Sequence, residues 1–186
     1  PGTTFFAPGT MARDAAVRES ARAVLDAIDR GPRYRPIGHV LDERAFVNGL
    51  VGLMATGGST NLTLHLIAMA AAGGIKLTWD DMNDISGATP LLARVYPNGS
   101  ADVNAMEAAG GLPFLIDQLR GAGYLHTDVQ TLTENGLDDY GRVAKVAVDG
   151  TLSYEPAPAV SGLPDVLTTA DQPFQSNGGL RVLSGN

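Results

Sequence analysis

The stretch Ala45-Phe-Val-Asn-Gly-Leu-Val-Gly-Leu-Met-Ala-Thr-Gly-Gly-Ser-Thr-Asn-Leu-Thr-Leu-His-Leu-Ile-Ala-Met-Ala-Ala-Ala-Gly-Gly-Ile75 runs for 31 residues without Asp, Glu, Lys or Arg. A membrane span needs about 20 mostly apolar residues, so length alone admits one. Thr56-Gly57-Gly58-Ser59-Thr60-Asn61 interrupts the run and leaves two short apolar segments, the pattern of two buried helices rather than a span. Asp42 is placed to cap the first helix, which carries Phe46, Leu50, Val51 and Met54 toward a core and stops at Gly57-Gly58. The second, from about Ser59 to Ala72, is apolar nearly all round through Leu62, Leu64, Leu66, Ile67 and Met69. It is expected to be the buried central helix, ended by Gly73-Gly74.

Upstream, Pro8-Gly9-Thr10 opens a helix predicted to reach about Arg30, with Val17, Ala21, Val24 and Ile28 on one stripe, before Gly31-Pro32 stops it. Downstream, Thr78-Trp79-Asp80-Asp81 reads as a capping arrangement for a short helix. Pro90 to Val95 reads as a brief buried strand entering the turn Pro97-Asn98-Gly99. Asp102 caps a further helix, and beyond the break at Gly110-Gly111 the residues Leu112, Leu115, Ile116 and Leu119 recur at helical spacing, with Pro113 in the first turn, where proline is tolerated. After His126 short strands are predicted at Val129 to Leu132, Val143 to Val148 and Thr151 to Tyr154, the last two joined by the two-residue turn Asp149-Gly150. Residues 155 to 177, rich in Pro, Ala, Ser and Asp, read as an extended connector, and Gly179 to Leu183 as the start of another strand. The fold class expected is helix-rich α/β. Residues 1–140 form the helix-rich part of an α/β domain, 141–177 a hairpin and connector, and 178–186 the start of a β-rich C-terminal domain.

Composition narrows the function. The chain has 186 residues, 44% of them hydrophobic, enough for one ordinary core. A net charge of -7 with 13 scattered basic residues argues against a nucleic-acid partner, because neutralising phosphates needs clustered Lys and Arg. Zero cysteines removes disulfides, thiolate nucleophiles and cysteine-held metal clusters from what these residues do alone. No signal peptide is visible, and both ends read as cuts rather than natural termini.

The turn Gly57 to Asn61 has the clearest chemical logic. Glycines let backbone approach a ligand, and the helix that follows offers unpaired N–H groups and a positive dipole end suited to an anion. The plainer alternative is a helix cap in which Ser59 or Thr60 bonds its own backbone. The turn is neither a P-loop nor a dinucleotide fingerprint. Asp80, Asp81 and Asp84 form an acidic group, but acids in a first helical turn are favoured by the macrodipole and usually face solvent. His39, His65 and His126 lie far apart in sequence, and His65 reads as a satisfied core imidazole on its buried helix. No nucleophile–base pair emerges, and no residue is assigned a catalytic or metal-ligating role. Asp102, Asn104 and Glu107 form a polar group that spacing alone does not connect to Arg94 and Asn98.

Five ordered motifs carry a resemblance: Ala55-Thr-Gly-Gly-Ser-Thr-Asn61, Leu64-His-Leu66, Thr89-Pro-Leu-Leu-Ala-Arg-Val-Tyr-Pro-Asn-Gly99, Ala101-Asp-Val-Asn104 and Ala108-Ala-Gly-Gly111. Together they resemble the dihydroxy-acid/6-phosphogluconate dehydratase family, with the Ala93 to Asn98 run looking like its phosphogluconate branch. That branch usually carries His where this chain has Leu62, and often His or Gln where it has Glu107. The resemblance covers the whole chain and implies the central part of a layered α/β/α N-terminal domain. It implies a hydro-lyase, acting on a sugar-acid phosphate, that removes water from a 2,3-dihydroxy acid. It also implies a [4Fe–4S] cluster whose ligands lie outside this chain, and a cytoplasmic homodimer. Gly58, Ser59, Thr60 and Asn61 are then expected to line the substrate wall and Arg94 to meet the phosphate.

Overall fold

The computed structural model describes residue 3, residues 5–28 and residues 33–185. Among the described residues seven helices and one hairpin follow in order: α1 (Met11–Ile28), α2 (Ile37–Val40), α3 (Glu43–Thr56), α4 (Thr60–Ala72), α5 (Trp79–Ala88), α6 (Val103–Ala108), α7 (Gly111–Gly121), β1 (Arg142–Val146) and β2 (Leu152–Pro156). A 3-10 turn at Gly136–Gly141 leads into the hairpin. The architecture is helix-rich α/β, as expected from the sequence. The predicted stop of α1 at Arg30 to Pro32 lies outside the described residues.

The caps form where the sequence places them. Asp42 accepts a hydrogen bond from the Ala45 N–H at 2.8 Å, and Asp102 accepts one from Ala105 at 2.9 Å. Thr78 and Asp81 form a reciprocal capping box, each satisfying the other's backbone N–H. Gly57 ends α3 in the left-handed conformation, φ 58° and ψ 40°, its N–H bonded back into the helix.

The central helix is α3, not α4. One face of α3 places Val51 and Ala55 in a core with Leu92, Met106, Phe114, Leu115, Leu119 and Leu167. The other places Phe46, Leu50, Leu53 and Met54 against Leu66, Ala70 and Met82. Helix α4 buries only Leu66 and Ala70, so His65 is exposed rather than a core imidazole. In α1 only Ala15 and Ala16 are buried, and the expected core stripe of Val17, Val24 and Ile28 faces water. Both helices carry apolar residues for which the described chain supplies no covering element.

Strand order is also sparser than expected. Residues 91 to 95 are extended, with Leu91, Leu92 and Ala93 buried, but form only single bridges, Leu91 with Gln175, Ala93 with Leu167 and Val95 with Ala101. The connector therefore folds back beside 91–94 and delivers Leu167 to the core. No strand forms at Val129 to Leu132 or at Gly179 to Leu183. The first of these is tied instead by side chains, with Thr131 and Thr133 bonded to each other. The hairpin β1–β2 is antiparallel, in register from Arg142 opposite Pro156 to Val146 opposite Leu152. Its loop has three residues rather than two: Ala147 N–H donates to Thr151 and Gly150 N–H to Ala147, with Gly150 at φ 80°. A left-handed glycine in the third loop position matches the twist of the strands. Among the described residues, no helix is long and apolar enough to cross a membrane.

Candidate functional site

The α3–α4 turn is built by close packing of three chain segments. Gly57 is buried, and a Cβ at this position would lie 2.7 Å from Asn98 Cγ. A Cβ on Gly179 would lie 2.5 Å from the Gly57 Cα and 2.9 Å from Asn98 Nδ2. Contact thus requires glycine at both positions, and at Gly57 the left-handed backbone requires it as well. The 178–180 segment is fastened by three hydrogen bonds: Gly178 N–H to the Ser86 carbonyl, Gly179 N–H to the Met54 carbonyl, and the Ser86 hydroxyl to the Leu180 carbonyl. Ser86, fully buried on α5, is satisfied by that last bond.

From this anchored glycine the chain emerges to the surface. Gly58 is half-buried, and Ser59, Thr60 and Asn61 are exposed. Ser59 is the N-cap of α4 in extended conformation, φ -67° and ψ 125°, but its side chain makes no capping bond. The helix-cap alternative fails for Ser59, and the first turn of α4 is left open to a ligand or to solvent. Thr60 and Thr63 line a cleft of about 220 Å³ with Met54, Trp79, Met82 and Leu180, which Arg181 and Val182 complete. The guanidinium of Arg181 points toward the last turn of α5, where a Cβ on Gly87 would lie 3.8 Å from it.

Arg94 sits one short turn away from this assembly. Its guanidinium lies 4.2 Å above the centre of the Phe174 ring, a cation–π contact that orients the cation while leaving its N–H groups exposed. It has no carboxylate partner among the described residues. The turn after it closes through Asn98 and Gly99 N–H groups bonded to the Val95 carbonyl, and it presents the Asn98 side chain to Gly57. Asn98 thereby couples the Arg94 turn to the Gly57 turn.

The remaining polar candidates have structural occupations. Asp81 is held below the usual carboxylate range by the Thr78 hydroxyl and backbone N–H, and Asp80 and Asp84 are exposed. Asp102 is lowered by the Ala105 N–H and by Asn104. Glu107 differs: burial pushes its carboxyl up, and Oε2 faces the space where a Gly111 Cβ would stand. The three histidines are exposed and separate, and no group of three His, Asp or Glu is placed to hold a metal among the described residues. Sequence reasoning missed the Asn98 bridge and the Thr63, Trp79, Met82 and Arg181 lining. The one available signal was the glycine pair Gly178-Gly179, since paired glycines outside a turn mark close backbone approach.

The uncapped N-terminus of α4 thus adjoins a glycine-packed turn, and Asn98 links that turn to the one that carries Arg94. The family model described as dihydroxy-acid/6-phosphogluconate dehydratase N-terminal matches residues 1–140, and the chain belongs to that family. It is 53% identical over its whole length to a phosphogluconate dehydratase of Rhizobium meliloti and 47% to that of Pseudomonas aeruginosa. It is 35% identical to a dihydroxy-acid dehydratase of Saccharolobus islandicus. The chain spans 31%, 30% and 31% of these relatives' own lengths, just under a third.

Proposed function

We propose that this chain is the substrate-binding part of a phosphogluconate dehydratase, converting 6-phosphogluconate to 2-keto-3-deoxy-6-phosphogluconate and water in the Entner–Doudoroff route. The observation that carries the reading is identity of 53% and 47% to phosphogluconate dehydratases across the entire chain, against 35% to the dihydroxy-acid enzyme. In the reaction a base takes the C2 proton, the C3 hydroxyl leaves, and the enol becomes the 2-keto acid. Ser59, Thr60 and Asn61 bind and orient the substrate through hydroxyl, amide and first-turn N–H groups. Arg94 receives the phosphate, with Phe174 holding the guanidinium plane.

The [4Fe–4S] cluster implied for the family would assist departure of the hydroxyl. Its ligands do not come from this chain, which has no cysteine and, among the described residues, no cluster of three His, Asp or Glu suited to a metal. The chain's part is binding and orientation. The same reading carries a cytoplasmic, homodimeric enzyme.

The test is keto-acid release by the full-length protein from 6-phosphogluconate, gluconate and a branched 2,3-dihydroxy acid. Turnover confined to the last two substrates overturns the proposal. Arg94→Ala removes charge-assisted hydrogen bonds worth about 1.5–3 kcal/mol, so KM for 6-phosphogluconate should rise roughly 10- to 100-fold with kcat little changed. Unchanged kinetics would remove Arg94 from the site.

A further inference from the structure

The Asn98 carboxamide packs against glycines from two distant segments. A Cβ on Gly57 would lie 2.7 Å from its Cγ, and one on Gly179 2.9 Å from its Nδ2. Neither glycine offers it a donor, because both N–H groups already donate to the Met54 carbonyl. The amide makes no hydrogen bond to any described residue, and Asn98 is exposed. The backbone that carries it is fixed, with the Asn98 and Gly99 N–H groups donating to the Val95 carbonyl at 2.9 and 3.1 Å. An apolar side chain of the same branched shape would fill this contact equally well, so packing does not account for the amide. A polar group held by packing, with donors and acceptor unspent, has given up its conformational freedom before any ligand arrives.

We propose that Asn98 is a substrate-binding residue whose carboxamide takes a hydroxyl of the sugar-acid chain between the phosphate and the reacting carbons. The assignment rests on the dehydratase reading, in which Arg94 receives the phosphate and Ser59 to Asn61 hold the acid. Asn98 joins these two groups in the fold: it lies in the turn that Arg94 opens, and it touches Gly57, which leads into Ser59. In 6-phosphogluconate the carbons between the C6 phosphate and the C2–C3 bond are C4 and C5, each bearing a hydroxyl. A hydroxyl both donates and accepts, and a carboxamide offers a carbonyl and an NH2 to match it. A phosphate or carboxylate would use the donors alone, a role that a cation fills better. The contact is remote from the bond that breaks, so it serves binding and specificity more than the chemical step.

The experiment compares the full-length parent enzyme with its Asn98→Leu and Asn98→Asp variants on 6-phosphogluconate and on the 4-deoxy and 5-deoxy forms of that acid. Leucine keeps the branched shape over the two glycines and loses every hydrogen-bonding atom. Its KM for 6-phosphogluconate should rise roughly 5- to 30-fold, with kcat within about twofold of the parent. On one of the two deoxy acids the Asn98→Leu variant and the parent should have equal kcat/KM, because the partner hydroxyl is gone. Asn98→Asp keeps the shape, loses both donors and adds an anion beside an anionic substrate, so its KM should rise further. It decides the matter alone if the leucine variant does not fold. A parent-like KM in a folded variant, or an equal loss on all three substrates, overturns the assignment of Asn98 and leaves the dehydratase reading standing. No keto-acid release from 6-phosphogluconate by the parent overturns that reading, and the assignment with it.

Discussion

Gly57 concentrates two constraints in one residue. Its left-handed backbone disfavours any side chain, and Asn98 occupies the space a Cβ would need. Gly57→Ala is therefore expected to cost about 1–3 kcal/mol of stability and to move the turn that opens α4, measured by denaturant unfolding. Asn98→Ala separates the two effects, since it removes the contact but keeps the glycine. Glu107 gives a pH-dependent case. Burial raises its folded pKa above the ordinary value of 4.5, so the folded state holds the proton more tightly than the unfolded state. Stability is then highest below the unfolded value and falls as pH rises between the unfolded and folded values. Glu107→Gln removes that penalty and should raise the melting temperature at pH 7 relative to the parent, with the advantage disappearing below about pH 4. Equal melting curves at both pH values would show that the carboxyl is not penalised.

At the scale of elements, the helix starts follow local chemistry. Thr78 and Asp81 close both ends of a capping box on α5. Thr78→Ala should cost about 1 kcal/mol, read from thermal or urea unfolding. The carboxylates of Asp81 and Asp102 have folded pKa values below the ordinary 3.8, the first through Thr78 and the second chiefly through the Ala105 N–H. Their contribution is present above that ordinary value and is lost as pH falls through the depressed folded values. Acid titration should thus loosen the starts of α5 and α6 together, visible as faster amide exchange in their first turns. Helices α1 and α4 differ in kind, because their ends are marked in sequence but their apolar faces have no partner among the described residues.

For the whole molecule, the connector is the organising surprise. Residues 155 to 177 read as a simple extended link, yet Thr168 and Phe174 N–H groups bond to the carbonyls of Leu92 and Leu91, and Leu167 is fully buried. Leu167→Ala should cost about 2–5 kcal/mol, as expected for a leucine cavity in a packed core and not for a surface linker. The same segment places Phe174 under Arg94, and 178–180 then reaches the Gly57 turn. The candidate site is therefore assembled from α3, the 94–99 turn and a segment some 80 residues further along the chain.

The sequence by itself determined the features that depend on neighbours within a few residues. The Asp42, Thr78 and Asp102 caps, the Gly57 stop, the pairing of the hairpin strands and the order of the helices other than α2 were legible, because capping and turn chemistry are local. Ordered motifs also placed the chain in its family. Only the tertiary structure decided which apolar helix is central. Periodicity records that α4 is apolar, but not whether these 186 residues contain the surface that covers it. Likewise, nothing near position 57 announces Asn98 or Gly179, since a contact between distant segments leaves no spacing to read. Close packing of backbone against backbone turned two separate glycine pairs into one wall of the candidate site.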